Sequence, residues 1–228
     1  MPPNQDASPA DDLLDAVLSR STELQDALVE ALRIDDTFEL SAPAYGIRTA
    51  FLAAELSLEH GSGLRMLMQT GHPRSATAAM RMQYEAMVRS AWALWAATPE
   101  EIDLLEQELT SESEAAAKQV GEYGAMKRAL RASDCPEVLR EQLATFDEIS
   151  WRSLNSYVHG GIHALRRGED GFPLWLALQV VKTSNGLVSM AAAMLSKLSG
   201  EDRGLAEINR LLPTFQDCLP DLLPLKQA

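Results

Sequence analysis

Residues 174–200 read LWLALQVVKTSNGLVSMAAAMLSKLSG. This composition predicts one long apolar helix over 174–198, stopped at Gly200, since glycine readily takes the left-handed conformation that ends a helix. Its apolar run, Leu174 to Val181, stops at Lys182. That is far short of the roughly 20 residues needed to span a membrane, so the stretch reads as the centre of a soluble core. A second wide apolar face follows Pro73, where a first-turn proline belongs, and continues to about Ala97 through Met80, Met87, Val88, Trp92 and Trp95. These two helices are expected to supply much of the core.

Working outward, helices are predicted over 11–33, 45–70, 73–97, 100–131, 149–160 and 174–198. A shorter one starts at Pro136 and another at about Asp202. Asp11 or Asp12 can cap the first, whose apolar stripe is Leu13, Leu14, Val17, Leu18, Leu24, Leu28 and Leu32. Pro43 opens the second, and Gly61-Ser62-Gly63 is a weak point within it. The Arg152–His159 helix weakens at Gly160-Gly161, and residues 168–173 form a turn. No stretch alternates apolar and polar residues long enough to make a strand. The reading is an all-α, single-domain bundle of long antiparallel helices over residues 11–212, with a disordered leader at 1–10 and a C-terminal tail at 213–228.

Composition agrees: 46% of the 228 residues are hydrophobic, ample for one core. Ala, Leu and Met lose little on entering a helix. The methionines Met66, Met68, Met80, Met82 and Met87 read as core packing. A net charge of −13 argues against a broad nucleic-acid footprint. Two cysteines, Cys135 and Cys218, make neither a disulfide framework nor a metal-ligand spacing. The acidic, Pro-rich start lacks a signal-peptide pattern, so a cytoplasmic location is expected.

The distribution of charge says more than its total. Residues 149–168 hold no acid but carry Arg152, Arg166 and Arg167; from His60 to Trp92 the only acid is Glu85, against Arg65, Arg74, Arg81 and Arg89. All four histidines, His60, His72, His159 and His163, fall in these two windows. If the windows pack together, an acidic chain carries one local basic cleft able to focus an anion. Taken singly, Arg65, Arg74, Arg166 and Arg167 read as solvated surface residues. Arg81, Glu85 and Arg89 form an i, i+4, i+8 ladder, either a solvated salt-bridge row or a rim on which Glu85 orients an arginine.

Within the first window, Trp151-Arg152-Ser153-Leu154-Asn155-Ser156-Tyr157-Val158-His159 puts Arg152 and His159 almost two helical turns apart, on one face. Asn155 and Ser156 lie on or near that face. An imidazole titrating near ~6.5 suits proton transfer, and a planar guanidinium suits phosphate. The pair meets both needs without a metal or cofactor. The plainer alternative is a helix-end histidine bonded to a backbone carbonyl. A metal site is not expected: His159 and His163 are i, i+4, but the Glu of HExxH is missing, and adjacent Glu59 and His60 face different ways from a helix that also carries Glu55. No G-x-S-x-G elbow and no glycine-rich nucleotide loop is present.

Arg152-Ser-Leu-Asn-Ser-Tyr-Val-His159 resembles the Arg-x(4–6)-His signature of HEPN domains (higher eukaryotes and prokaryotes nucleotide-binding) in its longest-spaced form. The surroundings, Arg81-Met-Gln-Tyr-Glu85-Ala-Met-Val-Arg89-Ser-Ala-Trp92 and Leu154-Asn155-x-x-Val158-His159-Gly160, are similar to a group of bacterial all-α proteins over roughly residues 45–198. The resemblance implies an all-α, HEPN-like bundle, commonly a homodimer whose site forms where protomers meet. It implies a metal-independent endoribonuclease of a toxin or phage-defence type, with single-stranded RNA or a nucleotide as ligand and an antitoxin-like protein as partner. It gives Arg152 phosphate binding, His159 proton transfer, and Asn155 and Tyr157 positioning. Arg81, Glu85 and Arg89 are supporting residues by charge placement alone. Ser153 stands where Asn, Asp or His is common, and the double glycine lies outside the signature. These departures leave a second expectation: a non-catalytic helical module binding a nucleotide, small anion or protein partner.

Overall fold

The computed structural model describes residues 9–32, 40, 45–118, 120–200 and 202–221, and among these the secondary structure is helical with no strand. The order is α1 (Pro9–Leu32), α2 (Ile47–Gln69), α3 (Pro73–Trp95), α4 (Pro99–Leu105), α5 (Ser111–Ala117), α6 (Tyr123–Arg131), α7 (Glu137–Val158), α8 (Ile162–Glu169), α9 (Leu174–Ser199) and α10 (Asp202–Leu211), then a 3₁₀ turn over Leu212–Phe215. The disordered leader and the role of Pro43 fall mostly or wholly outside the described residues. No described helix is long and apolar enough to cross a membrane.

The core forms where α1, α2, α3 and α9 meet. α9 buries Val181, Leu187, Ala191 and Leu195; α3 buries Ala76, Met80, Met87 and Trp92; α1 adds Leu18, Leu24 and Leu28. Leu13 of the expected α1 stripe is exposed, as are Met66 and Met82, so two of the five methionines read as core face solvent instead. Small polar groups knit the interior. Ser57 donates to the Gln83 carbonyl, Ser184 to the Gln83 side chain at 2.6 Å, and Asn185 to Ser21 and to the Cys218 carbonyl, both at 2.7 Å. A buried polar group without a partner is costly, so these bonds fix the register between helices.

The same contacts set helix direction. α2 and α3 are antiparallel, Ala50 meeting Ser90 while Ser57 meets Gln83. α1 and α9 instead run the same way: Ser21 pairs with Asn185 while Leu32 and Ser196 share contact with Gly204. The expected antiparallel packing of long helices is seen in α2 and α3, and α1 and α9 add a parallel pair. Gly61 is no weak point, because a Cβ there would lie 2.8 Å from Val188 and 2.9 Å from Gln83; the glycine lets α2 approach its neighbours. Gly46, at φ +77, starts α2 where a Cβ would strike the Ala93 carbonyl oxygen at 2.2 Å.

The outer segments depart most from expectation. The single helix foreseen over 100–131 is three short ones. Thr98 and Thr110 each close a capping box and restart the chain, and the Glu122 carboxylate caps α6 by accepting from the Gly124 and Ala125 amides. Conversely, the shorter helix from Pro136 and the helix over 149–160 are one element, α7, because no breaker separates Glu137 from Val158. In the segment read as a tail from 213, Phe215 and Cys218 are buried in the core.

Candidate functional site

α7 lies antiparallel on α3: Tyr84 donates to the Leu143 carbonyl at 2.8 Å near one end, and Arg81 meets Asn155 further along. α6 fills the angle between them. The sequence of α7 puts Asp147, Trp151 and Asn155 at i, i+4 spacing, hence on one side, and this side faces α3 and α6.

Arg81 is the centre of that contact. It is 9% exposed, so the ladder it begins is not a solvated row. Its Nε donates to Asn155 Oδ1 at 3.1 Å, its guanidinium lies 3.4 Å from the centre of the Trp151 ring, and it pairs with Glu85. Tyr123 of α6 stacks on Trp151, ring centres 3.6 Å apart and 11° from parallel. The Tyr123 hydroxyl donates to Asp147, which also pairs with Lys127. Tyr84 stacks on Phe146 with centres 4.1 Å apart. Burial pushes the phenols of Tyr84 and Tyr123 well up, so both remain neutral hydrogen-bond donors. Arg89 points elsewhere, donating to the Gly121 carbonyl at 3.3 Å, so the ladder divides: Arg81 and Glu85 join Asn155 while Arg89 holds the α6 entry.

Arg152 and His159 lie on the outer side of α7, both exposed. At ~100° per residue they project about 60° and about 40° to the same side of Asn155, with Trp151 about 40° to the other. Along the axis they are roughly 10 Å apart, with Asn155 between them. Among the described residues neither side chain has a hydrogen-bond or ion-pair partner, so His159 is not tied to a carbonyl; only its backbone N–H is, bonding to the Asn155 oxygen at 3.1 Å.

The double glycine makes the exit. Gly160 takes φ +65, and a Cβ on Gly161 would lie 2.7 Å from Ser156 Oγ. That hydroxyl accepts from the His163 amide at 2.9 Å and starts α8. The turn separates His159 from His163, so their i, i+4 spacing does not put them on one helix face. Tyr157 faces His163 and Phe172, ring centres 6.4 Å away in each case. Burial raises the Tyr157 phenol and neighbouring Arg167 draws it back. Arg166 pairs with Glu169 at 2.7 Å, and Arg74 packs against Gly168.

Residues 54–221 match the model of a family described as a family of unknown function, DUF6988. The chain belongs to this family. No curated protein and no solved structure matches it. The DUF6988 span begins within α2 and takes in every element of the site, from Arg74 on α3 to α8.

In this DUF6988 chain the two acid-poor windows meet along α3, α7 and α8, bringing Arg74, Arg81, Arg152, His159, His163, Arg166 and Arg167 to one region. Arg65 is not there. It is buried between α1 and α2, donating to Gln25 and Ser62, which also rules out the solvated reading for it. His60 stays on α2, and His72 sits at the start of α3 beside Thr70. Among the described residues no group of three or more His, Cys, Asp or Glu could hold a metal. Sequence reasoning missed Tyr123, Lys127, Asp147 and Trp151. Their signal was two i, i+4 rows, Tyr123–Lys127 and Asp147–Trp151–Asn155, the first hidden because α6 was merged into one helix over 100–131.

Proposed function

We propose that this protein is a HEPN-like, metal-independent endoribonuclease of a toxin or phage-defence type, acting in the cytoplasm on single-stranded RNA. The observation that carries the reading is the pairing of Arg152 and His159 on one open face of α7, beside an Asn155 held by Arg81, in the basic region of an acidic chain. Arg152 holds a nonbridging phosphoryl oxygen, its planar fork matching that geometry. His159 takes the proton of the ribose 2′-hydroxyl as that oxygen attacks phosphorus. The bond to the 5′-oxygen breaks, a 2′,3′-cyclic phosphate forms, and the leaving oxygen takes up a proton. A homodimer with residues 150–167 near its two-fold axis supplies a second Arg152 and His159, so that one imidazole removes a proton while the other delivers one. An antitoxin-like protein is the corresponding partner.

The test is cleavage of single-stranded RNA in EDTA. Arg152→Ala and His159→Ala are each expected to lower the rate by 10²-fold or more, in the ordinary range for loss of an acid–base group, with helicity unchanged. Cleavage that needs a divalent metal, or survives both substitutions, overturns the reading. The openness of the Arg152–His159 face favours a second reading, a non-catalytic module for a nucleotide, small anion or protein partner. Binding without cleavage decides for it.

A further inference from the structure

Asn155 is the one polar side chain of α7 shared between the buried brace and the open face. A guanidinium only donates, so the Asn155 atom 3.1 Å from Arg81 Nε is its carbonyl oxygen, and the amide can turn only one way. Arg81 is itself immobilised by the Trp151 ring and Glu85, and Trp151 by Tyr123. With its oxygen committed inward, the NH₂ group of Asn155 is free to donate. Its half-buried side chain sits between Arg152 and His159 in height along the helix. Arg152 and the Asn155 amide nitrogen then present donors, with no carboxylate on α7 between Glu148 and its end. A guanidinium and an amide NH₂ on a helix segment without a carboxylate suit an oxyanion.

We propose that the Asn155 amide is a direct donor to a phosphoryl oxygen of the ligand, and that Arg81, braced by Trp151 and Tyr123, is the positioning residue that aims it. The assignment rests on the proposed Arg152–His159 site but names a third ligand contact and the device that orients it. Arg81 itself stays off the ligand, because its Nε is used by Asn155 and its guanidinium is covered by Trp151.

The probe is a fluorescein-labelled single-stranded DNA oligonucleotide, which offers phosphates but has no 2′-hydroxyl and is not cleaved. Asn155→Asp keeps an oxygen for Arg81 and removes the outward donor. Its melting temperature is expected to hold or rise, while affinity for the probe falls roughly tenfold to a hundredfold, the range for a lost bond to a charged group. In the side-chain amide region of a ¹⁵N–¹H spectrum, the NH₂ pair missing from Asn155→Ala identifies Asn155 in the wild type. That pair is expected to shift as the probe is added. Affinity within threefold of wild type in Asn155→Asp, a stationary NH₂ pair at saturating probe, or no binding of the probe by the wild type each overturns the assignment. If the NH₂ pair moves but RNA is not cut in EDTA, the nuclease reading fails and the donor role stands. If RNA is cut and the pair does not move, the reverse holds.

Discussion

The inner bundle of α1, α2, α3 and α9 and the outer layer of α6, α7 and α8 are built from different chemistry. Inside, buried leucine, alanine, valine and methionine pack around Trp92, and most buried polar groups are neutral amides and hydroxyls such as Gln83, Ser184 and Asn185, with Arg65 a buried charge between α1 and α2. Outside, α7 buries only Leu143 and Leu154, and α8 buries nothing. There the adhesion comes from Arg81 on Trp151, Tyr123 on Trp151, and Asp147 between Tyr123 and Lys127. Apolar burial is non-directional and gives bulk stability; charged and stacked contacts add less but fix orientation. The layer whose geometry is held by directional contacts is the one that carries Arg152 and His159.

The largest expected effect probes the inner bundle. Trp92 is 2% exposed at the heart of α3, and Trp92→Ala should cost ~3–5 kcal/mol in urea denaturation through lost contacts and a residual cavity. A loss below about 1 kcal/mol would mean that the two regions do not differ in this way.

Next comes the outer layer. Asp147→Ala leaves the Tyr123 hydroxyl and the Lys127 ammonium without their acceptor, both partly buried, and should cost about 1–3 kcal/mol. Hydrogen exchange should localise the loss: amides of α6 and α7 exchange faster while those of α9 keep wild-type protection. Uniform acceleration across α9 would show that the layers unfold as one unit, which would erase the contrast.

The smallest effect is a pH dependence inside the bundle. Partial burial on α2 lowers the His60 pKa below its ordinary value, partly offset by Glu59. The folded state therefore prefers neutral His60, and the unfolded state binds more protons between the folded value and about 6.5. Its contribution is complete above that window and is lost as pH falls through it. His60→Gln should flatten the decline of the melting temperature between about pH 7 and pH 5. Parallel wild-type and variant curves would assign the acid sensitivity to other groups.

Legibility in the sequence followed how local each cause is. The helices over 73–97 and 174–198 were readable because their apolar faces lie within the segment itself, and the ends at Gly160 and Gly200 because a glycine marks them. The Thr98 and Thr110 capping boxes were equally local but went unread within an Ala/Glu/Lys-rich stretch, so α4, α5 and α6 were merged. The shared face of Arg152 and His159 needed only helical spacing. Whether Arg81 would face water did not: its partner Asn155 is 74 residues away and Trp151 lies on the same distant helix.

By itself, then, the sequence determined an all-α chain, the position of its core helices, and the alignment of Arg152 with His159, since each depends on contacts within a few residues. Only the tertiary structure decided that α1 and α9 run in one direction, that the two acid-poor windows meet, and that Arg81 is buried on Trp151. Those outcomes depend on which buried amides, hydroxyls and rings find partners across distant helices, and no periodicity within a helix encodes that choice.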